Sequence, residues 1–369
     1  MGDPHVMTDE RIRRRRVAAQ LLHRPRRSGP AALVRHLTGV QSQVLSAAAL
    51  ALRARAEGCT AERVHRARTR DRSIVLAWAM RGTLHLVTAA DHGWLVPLTT
   101  EPRLANAHRR LRQEGVSPAD AERGVRLIGT ELRRNGPMPR RELAERLERA
   151  GIRTKGQAMA HLAWLACALG VACHGPDRDG ETTFVRTDDW LERAKTERPA
   201  DPLAELAVRY LRAHSPATPA DLAAWSGLRS GDAKRAWRAI ERRLVEHDTA
   251  RGTMWSLRGI RVDEPEDVVR LLPSFDEFLL GWTQRDLIAS AAEWRRINRG
   301  GGWLHPVVLH DGRAIGTWAW ERGEVRVRWF GRPATEVRSA IDTEAAEISA
   351  KRSSVRASPR GAGTHSGTR

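Results

Sequence analysis

Apolar residues recur along this chain at three- and four-residue spacing in short stretches broken by Gly and Pro, with a few patches that alternate instead. The pattern predicts helices at about 8–23, 30–40, 46–57, 60–68, 119–134, 156–169, 203–213 and 230–244. Strand character falls at 78–87 (WAMRGTLHLV), where Thr83, His85 and Val87 alternate with Leu84 and Leu86 as in a half-buried strand. Residues 170–186 and 248–262 read as hairpins. Beyond 262 the chain turns β-rich: 268–275 (VVRLLPSF) and 305–330 are strand-like, with Asp311-Gly312 and Arg322-Gly323 as turns. A helix near 333–348 closes the fold.

An internal repeat organises these elements. Residues 136–147 (GPMPRRELAERL) and 215–226 (SPATPADLAAWS) share a Pro and then an acid-Leu-Ala helix start, Glu142-Leu143-Ala144 and Asp221-Leu222-Ala223. Each follows one amphipathic helix and precedes another, and a hairpin comes next. Helix, helix, helix, hairpin is the winged form of the helix-turn-helix, a module that presents one helix to a DNA groove. The N-terminal stretch reads as a further copy with a longer insert, and 187–200 as a polar connector. The expected fold class is therefore mainly α with small β wings. Winged-helix modules span 8–100, 101–190 and 201–262, followed by a β-rich C-terminal element over 263–350 and a disordered basic tail over 351–369.

Composition narrows the class. The 369 residues are 41% hydrophobic and 29% charged, ordinary for a globular chain of two or three domains. No apolar run approaches the roughly 20 residues of a membrane span, and no signal-peptide pattern follows Met1. Three cysteines in a chain this long argue against a disulfide framework, so a soluble intracellular protein is expected. Sixty-three basic against 44 acidic residues leave +19. Arginine fills five of the six positions from Arg11 to Arg16, and the last 19 residues hold five basic residues and no acid. An excess of this sign and size favours a polyanionic partner, most simply nucleic acid. The plain alternative is a generally arginine-rich composition, since only four of the 63 are Lys.

Common catalytic signatures are missing: no GxxxxGK[ST] loop, no GxSxG elbow, no HExxH and no paired CxxC. His161, Cys167, Cys173 and His174 match no zinc spacing, and Cys167 lies in an apolar run where a thiol packs as a small hydrophobe, so no metal is expected. Lys155, Lys195, Lys234 and Lys351 sit in polar surroundings that leave an amine protonated, which disfavours imine chemistry. Asp276, flanked by Phe275 and Phe278, reads as a buried carboxylate ordering an arginine rather than as a catalytic acid. Asn298, Arg299 and the Gly300–Gly302 run form a loop whose backbone can approach a phosphate, with Trp303 beside it as a stacking candidate. Arg81, Thr83 and His85 on the 78–87 strand are either DNA contacts or a satisfied structural network.

The segment that does not fit pure scaffolding is 36–43 (HLTGVQSQ). Glutamines at i and i+2 lie about 200° apart on an α-helix and converge only on extended backbone. Gly39, with Ser46 as a possible N-cap for the next helix, permits a break here. Leu33, Leu37, Val40 and Val44 nevertheless keep helical spacing, and on spacing alone one continuous helix is the favoured reading.

Four segments together carry a resemblance. HLTGVQSQ (36–43), RGTLHLV (81–87), LLPSFDEFLLGW (271–282) and INRGGGWLHPVVLHDGRAIGTW (297–318) resemble, in this order and spacing, the AlkZ-like winged-helix DNA glycosylases of bacteria, and the likeness runs through residues 10–350. The resemblance implies three tandem winged helices forming a concave basic DNA channel, lined by a Gln-Φ-Gln catalytic motif with Φ apolar. On this chain that motif falls on Gln41 and Gln43, with Ser42 standing where an apolar residue is usual. It further implies a β-hairpin against the minor groove, for which 172–185 and 309–318 are the two candidates. The implied activity is hydrolysis of the N-glycosidic bond of cationic alkylpurines (N7-alkylguanine, N3-alkyladenine), with unhooking of interstrand crosslinks. No suitable lysine is present, so a monofunctional enzyme is expected: monomeric, cofactor-free, acting on double-stranded DNA in the bacterial cytoplasm at the nucleoid. The rival from another class is a non-catalytic winged-helix DNA-binding protein, a regulator or damage binder. Three unequal modules in one chain suit a palindromic operator poorly. An RNA-binding role has only charge behind it.

Overall fold

The computed structural model describes residues 6–356 apart from 25, 26, 193, 195–197, 262 and 299, with side chains described to residue 349. The first stretch contains α1 (Asp9–Ala19), α2 (Pro30–Leu37), β1 (Val40–Gln41), α3 (Leu45–Arg53), α4 (Ala61–Thr69), β2 (Ile74–Trp78), β3 (Leu84–Thr88), α5 (Ala89–Thr100) and α6 (Leu104–Gln113). The second contains α7 (Pro118–Asn135), β4 (Met138–Pro139), α8 (Arg140–Arg149), α9 (Ala158–Ala168), β5 (Ala172–Arg178), β6 (Glu181–Arg186) and α10 (Thr187–Leu191). The third contains α11 (Pro202–His214), α12 (Pro219–Ser226), α13 (Ser230–Ala239), β7 (Leu244–His247) and β8 (Met254–Leu257). The last comprises β9 (Val269–Leu272), α14 (Glu277–Leu280), α15 (Ala291–Ile297), β10 (Val307–His310), β11 (Arg313–Glu321), β12 (Glu324–Trp329) and α16 (Thr335–Arg356).

The sequence repeat has a local cause. Glu142 and Asp221 both stand three residues into their helices, α8 and α12, where a carboxylate meets unpaired N–H groups and the positive end of the helix dipole. At α12 the arrangement is a full capping box: Thr218 accepts from the Asp221 amide and Asp221 from the Thr218 amide.

Three antiparallel sheets result. Six strands run in the order β1-β3-β2-β5-β6-β4, four in the order β12-β11-β10-β9, and β7 and β8 form a pair. The six-stranded sheet crosses from the first stretch into the second, with β2 joined to β5 where Leu76 faces His174. The largest apolar core draws Val75 and Val87 from this sheet, Leu206, Tyr210 and Trp225 from the third stretch, and Phe278, Trp282 and Leu309 from the last.

Several expectations are corrected. Helix 30–40 stops at Leu37, and the predicted 78–87 strand is the end of β2, a tight turn and β3, two arms of a hairpin that the alternation did not reveal. His85 and Val87 are buried along with Leu86, so β3 is covered on both faces and not half-exposed. Helix 230–244 ends at Ala239, and its last residue opens β7 instead. Polar spacing in 187–200 hid α10, whose Trp190 ring lies 4.0 Å under the Arg72 guanidinium. Helix α16 runs to Arg356, past where the tail was expected to begin, and 357–369 fall outside the described residues. No helix among the described residues is long and apolar enough to cross a membrane.

Candidate active site

The glutamine segment is extended, because two local features stop α2 before it. Thr38 adopts a left-handed conformation (φ 67°), which closes the helix, and the following residues find ladder partners on β3. Val40 faces Leu86, Gln41 faces His85, and the Ser42 N–H donates to the Leu84 carbonyl at 2.7 Å. Residues two apart on such a strand share a face. Gln41 Nε2 accordingly donates to Gln43 Oε1 at 2.9 Å. Gln41 is 6% exposed, whereas Gln43 stands in solvent. A continuous helix, the reading favoured by spacing alone, is excluded.

Ser42 occupies the opposite face and is buried. Its hydroxyl donates to the Val40 carbonyl at 2.6 Å and accepts the Leu86 N–H at 3.1 Å. The polar residue at the usually apolar position is therefore satisfied by backbone groups and leaves both amides on the other side. Gly39 is required for a different reason than breaking the helix. A Cβ there would stand 2.5 Å from Met80 Cε, in a core position where Met80 has no exposure.

Two residues far away in sequence hold Gln41, and Trp225 links them. Arg81, at a tight turn with φ 57°, donates from Nη2 to Gln41 Oε1 at 2.7 Å and from Nη1 to the Trp225 carbonyl. Glu277, fully buried, accepts the Gln41 backbone N–H at 2.7 Å and the Trp225 Nε1–H at 3.1 Å. Burial pushes the Glu277 carboxyl above the ordinary carboxylate range, against the Arg81 charge and the two N–H groups that pull it down. Burial likewise lowers the Arg81 guanidinium from its usual value. Neither Glu277 nor Trp225 emerged from the sequence, although Glu277 is the second acid of an otherwise apolar run, a signal read only for Asp276.

The remaining candidates separate. His85 has no exposed surface: Nδ1 lies 2.9 Å from the Thr83 carbonyl, Nε2 is buried without a partner among the described residues, and burial and the Arg81 charge lower its pKa to about 3. It cannot touch DNA in this arrangement and belongs to the packing behind Gln41. Arg81, partly exposed, is turned toward Gln41 and Trp225 and belongs to the amide network. Thr83 is partly exposed and donates to the Met80 carbonyl at 3.2 Å. Asn298 accepts the Gly300 N–H at 3.1 Å within its loop, and Arg299 lies outside the described residues. Trp303 is 50% exposed and stands edge-on over Phe275 at 5.0 Å, two residues before Glu277. Asp276 makes the expected buried pair, its two oxygens each 2.8 Å from an Arg55 nitrogen. Of the two hairpin candidates, 309–318 turns at Asp311-Gly312 against Arg13 of α1, where a Cβ on Gly312 would lie 2.8 Å from the arginine. The tip of 172–185, Arg178 to Gly180, is exposed.

Comparisons with known proteins show the family. The AlkZ-like DNA glycosylase family matches residues 34–350. An interstrand DNA cross-link repair glycosylase of Streptomyces sahachiroi is 31% identical over 340 residues, covering 86% of this chain and 89% of the relative. The solved Streptomyces sahachiroi DNA glycosylase AlkZ superposes with a TM-score of 0.81 at 26% identity, over 95% of this chain and 97% of that one. With the family spanning nearly all of the described fold, glutamine segment included, the chain belongs to the AlkZ-like DNA glycosylases.

Proposed function

We propose that this chain is a monofunctional DNA glycosylase for cationic alkylpurines, N7-alkylguanine and N3-alkyladenine, with interstrand crosslinks built on such purines as a second substrate class. The observation that carries the reading is the amide pair, Gln41 and Gln43, extended and hydrogen-bonded with one member in solvent. An amide is too weak a base or acid to expel an unmodified purine. It can accept a hydrogen bond from water and turn its carbonyl dipole toward an oxocarbenium-like sugar. That is enough when the leaving purine already carries a positive charge. Water adds its oxygen to C1′, the C1′–N bond breaks, the bond's electron pair neutralises the purine, and the water's proton passes to solvent. Lys155 and Lys234, the lysines whose side chains are described, lie exposed in the loop before α9 and on α13, which supports hydrolysis without an imine.

The three stretches of helices with a following hairpin are taken as winged-helix modules set around a concave basic channel, acting as a monomer on duplex DNA. The net charge of +19 supports a nucleic-acid partner, and the relative named as a cross-link repair glycosylase supports the crosslink class. The test is single-turnover incubation with a duplex carrying one N7-methylguanine, followed by hot alkali, beside a Gln41→Ala/Gln43→Ala double variant. Alkali-dependent cleavage that the variant loses is the expected result. Tight binding that leaves both this adduct and a crosslinked duplex intact refutes catalysis and favours a damage binder.

A further inference from the structure

We propose that Arg81 is a positioning residue that fixes which way round the Gln41 amide sits, and through it the polarity of the glutamine pair; the inference rests on the glycosylase reading. A glutamine amide has two orientations of nearly equal shape, and its partners select between them. Here a guanidinium nitrogen lies 2.7 Å from one end of Gln41. A flipped amide would set its NH2 against that cation, donor against donor. The oxygen therefore faces Arg81, the nitrogen faces Gln43, and the Gln43 oxygen must be the acceptor between them.

Arg81 holds this role because it is itself held. Its second nitrogen donates to the Trp225 carbonyl, the Trp225 indole donates to Glu277, and Glu277 accepts the Gln41 backbone N–H. The four residues close a circuit that begins and ends on Gln41 and draws on β1, the turn before β3, α12 and α14. Room for the turn is also built in: a Cβ on Gly227 would lie 3.0 Å from the Arg81 backbone. Two consequences follow for the chemistry. The exposed Gln43 keeps one lone pair of its oxygen free to accept from the attacking water, so Gln43 meets the water and Gln41 orients Gln43. The Arg81 charge, unwelcome beside a developing oxocarbenium, is countered by the Glu277 carboxylate within the same circuit.

The experiment compares wild type, Arg81→Met, Arg81→Lys, Gln41→Ala and Arg81→Met/Gln41→Ala in single-turnover excision and duplex binding. Arg81→Met is expected to slow excision about tenfold to a hundredfold through misplacement of the amide while leaving the dissociation constant within about twofold. Arg81→Lys, able to serve Gln41 or Trp225 but not both, recovers part of the rate. In the Gln41→Ala background the Met substitution should cost no further rate, because Arg81 acts only through that amide. A normal rate in Arg81→Met overturns the proposal, as does an equal loss in the Gln41→Ala background or weakened binding at an unchanged rate. A readout without substrate separates this inference from the glycosylase reading. In free protein labelled with 15N-glutamine, the side-chain amide signals absent from Gln41→Ala should shift in Arg81→Lys, and unmoved signals overturn the circuit even if Arg81→Met fails to fold. Wild-type protein that excises nothing while those signals do shift refutes the enzyme and leaves the circuit standing.

Discussion

Mild acid should destabilise this protein, and the cause is four buried histidines. Burial lowers His85 and His214 to about 3 and His92 and His174 to about 4, from an ordinary value of 6.5. The Arg81 charge adds to the effect at His85, and the neighbouring His36, Arg55 and Arg16 add to it at His214. Each folded value lies below the unfolded one, so the unfolded chain binds more protons as pH falls through 6.5, and stability drops with it. Between pH 7.5 and 5.5 each imidazole stays neutral in the fold while its unfolded counterpart takes up most of a proton, on the order of 1 kcal/mol apiece and roughly 5 kcal/mol for the four. That is comparable to the whole stability of an ordinary domain, about 5–15 kcal/mol. Glu277, whose carboxyl is raised by burial, opposes the trend with a single proton. Asp9, Asp177, Glu264 and Glu293 are lowered, so the stability they contribute is lost only on further acidification through their own carboxylate range. The assay is urea unfolding followed by tryptophan fluorescence at half-unit steps from pH 7.5 to 5. The midpoint should fall steeply below pH 6.5, and His214→Gln should remove about one proton, or about 1.4 kcal/mol per pH unit, from the slope. A midpoint that stays level between pH 7.5 and 5.5 would show that these rings are not buried neutral.

Three substitutions extend the argument. Asp276→Ala strands the Arg55 guanidinium in the core and should cost about 3–5 kcal/mol in urea unfolding; a loss under about 1 kcal/mol would mean the pair is hydrated. Ser42→Ala removes a hydroxyl bonded to two backbone groups and should cost about 1–2 kcal/mol of stability, with single-turnover excision kept because both amides lie on the other face. Trp303→Ala removes an exposed ring beside the glycine loop and should weaken duplex binding by about 1–3 kcal/mol if that indole stacks on a base, read by titration of a labelled duplex, whereas unchanged affinity excludes the contact.

Legibility followed sequence distance. The Pro-then-acid helix starts were visible because a helix cap is decided within four residues, and Thr218 with Asp221 form one. Asp276 was legible because a lone acid among aromatics has few physical options, and it pairs with Arg55. The glutamine strand was not, since apolar spacing from Leu33 to Val44 fits a helix, and what overrides it is a left-handed Thr38 and a ladder to a strand more than 40 residues on. Glu277 meets Gln41 across 236 residues, a distance at which no local pattern leaves a trace. The cover over His85 was hidden for a related reason. Alternation in β3 suggested a solvent face, but the packing behind the glutamines covers that face too.

The seam between the first two stretches joins backbone and side chains: Leu76 on β2 pairs with His174 on β5, the Trp78 ring lies 4.6 Å from the His174 ring, and Arg68 on α4 bonds Asp177. The same junction makes the pair indivisible. A chain shortened to its first hundred residues would bare one edge of β2, and an unpaired strand edge is an invitation to a second copy. Although the chain reads as a string of separate units, one six-stranded sheet runs through its first two stretches.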